Sequence, residues 1–163
     1  MPTPVTTLAD KLLEVHTWLR EQLAEMRDEA AAHLDARAAH DHEADAELPP
    51  PGLGFQIRRR CLAFCDALTF HHTGEDGAVF PGVERHHPEL IPVLDRLRAE
   101  HREVARIKEE LLALLADLAT PAPDELLAHI DRLTKELTAH LDYEEEWLVP
   151  VLTDVPFPPP AQP

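Results

Sequence analysis

Residues 140–150 read HLDYEEEWLVP, and residues 71–81 read HHTGEDGAVFP. In both stretches the first His is followed four residues later by a Glu and then by a second acidic residue, and a Pro closes the stretch. Residues four apart are neighbours on one face of an α-helix, so each pair presents a ring nitrogen and a carboxylate oxygen to the same point. One such pair arises readily by chance. Two pairs in register on apolar helix faces indicate a shared chemical role.

Apolar residues three and four apart extend outward from these stretches and predict four helices. The first begins at Thr7, which forms a start signal with Asp10. The second covers about 55–80, the third covers about 88–118, and the fourth follows Asp124. Aromatic residues make up 5% of the chain, which favours helices with Ala and Leu cores over a sheet. We therefore expect an all-α fold, an antiparallel up-down-up-down four-helix bundle.

A chain of 163 residues has the usual size of one domain. We expect a single bundle over residues 1–155 and a Pro-rich tail, extended or disordered, over 156–163. A polar loop is expected over about 35–54. It is long for a bundle, so part of it either extends the first helix or covers a site.

The charge balance excludes several partners. Lys and Arg number 15 against 31 Asp and Glu, a net charge of −16, which repels nucleic-acid phosphates and anionic membranes. The chain has no apolar run long enough to span a membrane and no signal-peptide pattern. Cys61 and Cys65 lack zinc or redox spacing and are typical of small core residues. We expect a soluble cytoplasmic protein that binds neither nucleic acid nor membranes; the sequence indicates no oligomeric state.

Each predicted helix has a His in its apolar stripe, and two helices have a Glu one turn later. A buried carboxylate without a partner costs several kcal/mol, and few basic residues fall on these faces, although Arg20 could reach in. A cation inside the bundle would resolve this cost. Six donors suffice for two ions if water or hydroxide completes their coordination, and mixed imidazole and carboxylate ligation suits non-haem iron, with manganese or zinc also compatible. The candidate ligands are His16, His71, Glu75, His101, His140 and Glu144.

Other polar residues have open alternatives. For His72 three roles are open. It could hydrogen-bond a metal ligand, replace His71 as the ligand if the helix register is off by one residue, or lie on the surface. Asp76 and Glu145 face solvent or support a ligand from behind. Tyr143 packs in the core and could also hydrogen-bond a bound ligand. The His-rich stretch 33–45 is expected to be a solvated loop rather than a metal site.

The sequence resembles the hemerythrin-like family, also called the HHE cation-binding domain, from about His16 to Pro150. The resemblance rests on residues 16–20, 71–76, 87–90, 100–101 and 140–150 in this order and spacing. It implies an antiparallel four-helix bundle that holds two iron ions with oxo, hydroxo or carboxylate bridges. Carried over by position, the ligands are the six candidates above, with Glu75 and Glu144 as the bridges.

One position departs from the oxygen-carrying members of the family. They have a second His four residues after the third-helix His, where this chain has Ala105. Their fourth-helix carboxylate lies five residues after its His, at Glu145 here; we favour Glu144 because it repeats the spacing of the helix-two pair. With one imidazole fewer, an iron has a further open position. This favours turnover of peroxide, oxygen or nitric oxide over simple oxygen carriage.

Three functions follow as hypotheses. The first is a di-iron protein that binds O2, peroxide or NO as a sensor, scavenger or store. The second is a di-iron oxidoreductase that disproportionates peroxide or uses O2 to oxidise a small organic substrate. The third is an iron-stabilised sensor or interaction module. We prefer the first because nothing in the sequence specifies a substrate.

Overall fold

A computed structural model describes residues 4–42, 52–116 and 123–157 of the protein. It confirms the all-α, up-down-up-down four-helix bundle, with no strand in the described ranges. The elements, in chain order, are α1 (Leu8–His42), α2 (Gly52–Gly74), a π-helical turn (Glu75–Val79), α3 (Phe80–His86), a 3-10 turn (Pro88–Leu90), α4 (Ile91–Ala116) and α5 (Pro123–Leu152). The segments from α2 to α3 follow without a break and form the second long helix of the bundle. Helix α1 packs against α2 and α5, and α4 packs against the same two helices.

The start of α1 is held as the sequence predicts. The Asp10 amide donates to Thr7 Oγ1 at 3.1 Å, and the Thr7 amide donates to Asp10 Oδ2 at 2.9 Å. These bonds satisfy N–H groups that a helix start leaves without an intrahelical acceptor. The Leu8 amide also donates to the Val155 carbonyl at 2.7 Å, which joins the two ends of the described chain.

Two helix ends lie further along the chain than the ranges given above. Helix α1 continues through residues 35–42, which is the expected alternative in which part of the polar stretch extends the first helix, and Ala-rich sequence favours helix there. The second helix continues past residue 80 to His86. Pro81 does not end it, and the π-helical turn Glu75–Val79 lies directly before this proline in the continuous helix.

The predicted tail is ordered at its start. Pro156 pairs with Thr7, and the Phe157 amide donates to the Thr6 carbonyl at 2.8 Å. Residues 43–51 of the predicted loop and 158–163 of the predicted tail lie outside the described residues.

The core has two apolar clusters with polar side chains between them. Leu12, Phe80, Leu97 and Leu148 belong to one cluster. The other cluster fills the opposite end of the bundle and contains, among others, Leu19, Leu68, Val104, Leu137 and the buried Cys61 and Cys65. A polar layer separates the clusters, because the apolar stripe of each helix is interrupted by His or Glu at the same level along the bundle axis. None of the described helices is both long and apolar enough to cross a membrane.

Candidate metal centre

All six candidate ligands lie in the polar layer, and His72 lies there with them. Six of these seven side chains are at most 8% exposed, and the seventh, His71, has a side chain that is 12% exposed. Among residues of described burial, the interior contains no Lys or Arg. The polar layer comprises His16, His71, His72, Glu75, His101, His140 and Glu144.

A first group of ligand atoms comes from α1, the second long helix and α5. It consists of His16, His71, Glu75 and Glu144, whose donor atoms all lie within 4.8 Å of one another. The Nε2 atoms of His16 and His71 are 3.3 Å apart, and His71 Nε2 is 3.2 Å from Glu75 Oε1. Two ligand atoms that are each about 2.1 Å from one ion lie about 3.0 Å apart at a right angle and about 3.4 Å apart in a tetrahedron. The spacing therefore suits one shared cation.

A second group comes from the second long helix, α4 and α5. It consists of His72, Glu75, His101 and His140, with donor atoms again within 4.8 Å of one another. His101 Nε2 is 3.4 Å from Glu75 Oε1. The rings of His72 and His101 stack with centroids 3.9 Å apart, and the His140 ring meets His101 edge-on at 4.7 Å. This group offers three imidazoles where the first offers two.

Each carboxylate lies between the two groups. Glu75 Oε1 is close to His71 of the first group and to His101 of the second. Glu144 Oε2 is 3.7 Å from His16 Nε2 and 3.4 Å from His140 Nε2. Both carboxylates are therefore placed where two ions could share them, and their role as bridges stays a prediction.

The position of His72 resolves an alternative that the sequence leaves open. The residue is 8% exposed, so the surface placement is wrong. It lines a small cavity of about 190 Å³ together with Ala105, the position where the oxygen carriers have their additional His. A second His from α2 therefore lies beside the position where the oxygen carriers have an imidazole from α4, and the polar layer offers seven candidate ligands rather than six. The sequence signal for this residue was the His71–His72 doublet.

Carboxylates behind the rings orient two of the imidazoles. His101 Nδ1 donates to Asp76 Oδ1 at 2.9 Å, and His140 Nδ1 donates to Glu100 Oε1 at 3.0 Å. A proton held at Nδ1 leaves the Nε2 lone pair free to face the centre. Arg96 donates in turn to Glu100 Oε2 at 3.1 Å. Sequence reasoning missed the role of Glu100, because its partner is on another helix.

Two further candidates lie outside the ligand groups. Glu145 binds Arg20, which also donates to Asp142 at 2.8 Å, so the guanidinium of Arg20 remains at the edge of the polar layer. Glu145 Oε1 is 3.8 Å from His16 Nδ1, behind that ring. Tyr143 packs against the Arg96 guanidinium, which lies 3.7 Å from its ring centroid.

The polar layer fits a pair of cations. Both oxygens of Glu75 and of Glu144, and the Nε2 atoms of three imidazoles, are buried without a hydrogen-bond partner in the described structure. Burial raises the pKa of Glu75 well above its usual range, and the neighbouring Glu144 raises it further. Burial lowers the pKa of His71 and of His101 to about 4, so these rings are neutral at pH 7. Buried neutral imidazoles and carboxyl groups of this kind could hold metal ions, whose charge would offset the cost of burying them.

Comparison with known proteins identifies the family. The model of the hemerythrin HHE cation binding domain matches residues 7–154, which include the whole polar layer. A comparison with curated proteins found no match, and neither did a comparison with solved structures. The chain thus has the helical bundle of this family and, inside it, His and Glu groups that could hold metal. It belongs to the hemerythrin HHE cation-binding domain family.

Proposed function

We propose that the protein holds two iron ions in the polar layer and binds O2, peroxide or NO there. One observation carries the proposal: five imidazoles and two carboxylates converge in the dry interior, and no buried Lys or Arg among the described residues offsets their charge. The first iron would be held by His16 and His71, the second by His72, His101 and His140, with Glu75 and Glu144 shared.

The donor set supports iron over other metals. Mixed imidazole and carboxylate ligation with open positions is typical of non-haem iron, and no thiolate is present to favour a soft metal, since both buried Cys lie in the apolar cluster. Manganese and zinc accept the same ligand types and are the competitors. Bound iron would supply redox chemistry and a cation to which a small ligand can bind.

The chain's own residues prepare this chemistry. Asp76 and Glu100 hold the protons of His101 and His140 at Nδ1, away from the centre. The two apolar clusters exclude bulk water from both sides of the polar layer, which strengthens electrostatic interactions inside it. Because Glu75 is neutral without metal at pH values where free Glu is ionised, metal binding displaces its proton.

Elemental analysis tests the proposal. Protein reconstituted with iron under anaerobic conditions and then freed of loosely bound metal should retain two irons per chain. Its absorption spectrum should change when azide is added as a probe of an exchangeable position. Competition with manganese and zinc at equal concentration tests the choice of metal. A chain that retains no metal after reconstitution would contradict the proposal.

A second candidate function is catalysis at the same centre, either peroxide disproportionation or oxidation of a small organic substrate. The observation that favours it is a cavity of about 610 Å³ that reaches His71 and Glu75. Stopped-flow mixing with peroxide distinguishes it from ligand binding alone, because sustained oxygen release shows turnover.

A purely structural role for iron is the third hypothesis. It predicts that metal removal unfolds the bundle and that azide leaves the spectrum unchanged.

A further inference from the structure

A large cavity lies between α1 and the second long helix, beside the first ligand group. Its volume is about 610 Å³. The walls are formed mainly by aliphatic side chains from both helices together with one residue near the end of α5. The wall residues include Leu12, Val15, Leu19, Ala67, Val79 and Leu152.

Exposure changes along the cavity from one end to the other. At the outer end, Phe70 is 83% exposed and Trp18 is 40% exposed. At the inner end, the Glu75 side chain is 3% exposed and the His71 side chain 12%. The cavity therefore leads from solvent, past two aromatic rings, to two residues of the polar layer.

We propose that this cavity binds a small uncharged organic molecule, with a mostly apolar body along the walls and one polar end at His71 and Glu75. The orientation of the polar end rests on the proposed metal centre, whereas binding of the apolar body depends on the walls alone. The proposal extends the function from small inorganic ligands to a specified class of organic ligand.

The size of the cavity argues for an organic occupant. Ligand pockets in proteins typically span about 300–1,000 Å³. A water molecule takes about 30 Å³ of liquid volume, and a diatomic gas needs no more than a small multiple of this. A cavity of about 610 Å³ greatly exceeds the space that O2, NO or peroxide requires.

The charges around the cavity argue for an uncharged occupant. Besides Glu75, its charged lining residues are Lys11 and Asp66, which have opposite signs. The Lys11 ammonium is already bound to Glu14 at 3.1 Å and also lies over the Phe157 ring. No cation at the described lining of the cavity is therefore free to bind an anionic ligand, and the walls favour an apolar body.

Two glycines of the second long helix allow a matched test. Gly74 lines the cavity, and Gly77, three residues further on, does not. At both positions an added Cβ meets no atom within 4 Å, and Gly74 has ordinary helical angles, φ −63° and ψ −41°. Gly74→Leu should fill part of the cavity without straining the backbone. Gly77→Leu adds the same side chain to the same region but leaves the cavity open.

The probe is 4-propylphenol, which has an apolar body and one hydroxyl. Isothermal titration calorimetry of the full chain, metal-free and iron-loaded, should show binding in both forms and tighter binding with iron. Gly74→Leu should weaken binding about tenfold or more, while Gly77→Leu should stay within about twofold of the unmodified chain. Ala67→Leu, also on the cavity wall, repeats the test should Gly74→Leu not fold.

The outcomes separate this proposal from that of the metal centre. Circular dichroism and iron content are measured on every sample. A folded chain that holds two irons but does not bind 4-propylphenol overturns the cavity proposal alone, as does equal weakening by both glycine variants. A chain that binds the phenol but retains no iron refutes the metal centre and supports the cavity.

Discussion

Replacing His72 by Leu should change metal affinity and metal-free stability in opposite directions. His72 is 8% exposed, and its Nε2 is buried without a hydrogen-bond partner in the described structure. The substitution removes one of the three imidazoles of the second group. It also replaces a buried polar atom that is unsatisfied without metal by an apolar side chain of similar size.

Both magnitudes follow from this position. A buried polar group without a partner costs about 1–3 kcal/mol. The free energy of unfolding of the metal-free variant should therefore rise by about 1 kcal/mol, less than the full cost because Leu loses the stacking of His72 on His101. Removing even a group that only supports a metal ligand lowers affinity about 10–100-fold. Loss of a ligand itself should weaken binding of the second iron by about 100-fold or more.

Urea unfolding of metal-free protein measures the first effect, and iron content after dialysis against chelators of increasing strength measures the second. His33 is a natural control position, because it lies in α1 outside both ligand groups. His33→Leu should leave iron retention unchanged. If His72→Leu destabilises the metal-free protein and retains both irons, His72 is a packing residue and the seven-ligand assignment is wrong.

Four further predictions follow from the same geometry. The double variant His72→Ala, Ala105→His moves an imidazole from α2 to α4 at the same small cavity, and should retain more iron than His72→Ala alone. Glu100→Ala removes the acceptor behind one ligand ring, and should weaken iron binding about 10–100-fold in the same dialysis assay. The free energy of unfolding of the metal-free protein should decrease as the pH is lowered from about 6.5 to about 4.5, because His71 and His101 take up protons in the unfolded chain in this range but stay neutral in the folded protein until about pH 4. Urea unfolding midpoints at several pH values measure this decrease. In a stepwise metal titration, the first equivalent should fill the group with three imidazoles, so the azide response should appear mainly with the second equivalent.

Control variants and contradicting outcomes make these predictions testable. Ala105→His alone tests whether the added imidazole and that of His72 compete for the same space. If the double variant retains no more iron than His72→Ala, an imidazole on α4 cannot replace the one on α2. Glu103→Ala, on the exposed surface of the same helix, should leave iron binding unchanged. The raised pKa values of Glu75 and of His140 oppose this effect in the same pH range, but burial lowers the pKa of four histidines, His16 and His72 as well as His71 and His101. Flat stability from pH 6.5 to 4.5 would show that the rings are accessible to protons. An azide response that is complete at one equivalent would contradict unequal sites.

The bundle and the candidate ligands could be predicted because one periodicity determines both. The spacing that identifies an apolar helix face also identifies the residues that interrupt it. His16 lies between Leu12 and Leu19 on such a face, and the structure buries all three. The predicted ligands therefore follow from local sequence, once the helices are taken to pack on their apolar faces. Metal binding by these residues stays a prediction.

Residues off the apolar stripe could not be assigned in this way. His72 is about 100° around the helix from His71, so its direction depends on how α2 is rotated against its neighbours. That rotation is a property of the packed bundle. Glu100 lies beside the stripe of α4 and meets His140 forty positions later in the chain. The spacing of residues along one helix does not predict which residues of another helix they contact.

The two ligand groups differ in a way that matches the cavities beside them. The first group has two imidazoles and borders the large apolar cavity. The second has three imidazoles and borders the small cavity, whose lining also includes Arg102 and Lys108. An ion with fewer protein ligands keeps more positions for an exogenous ligand. On the proposed assignment, the exchangeable positions therefore face the cavity that can hold an organic molecule, and His72 gives the other ion the imidazole that Ala105 does not provide. On the same assignment, the second ion keeps three imidazoles although α4 has no second His, and the reactive side of the centre would be the side of His16 and His71.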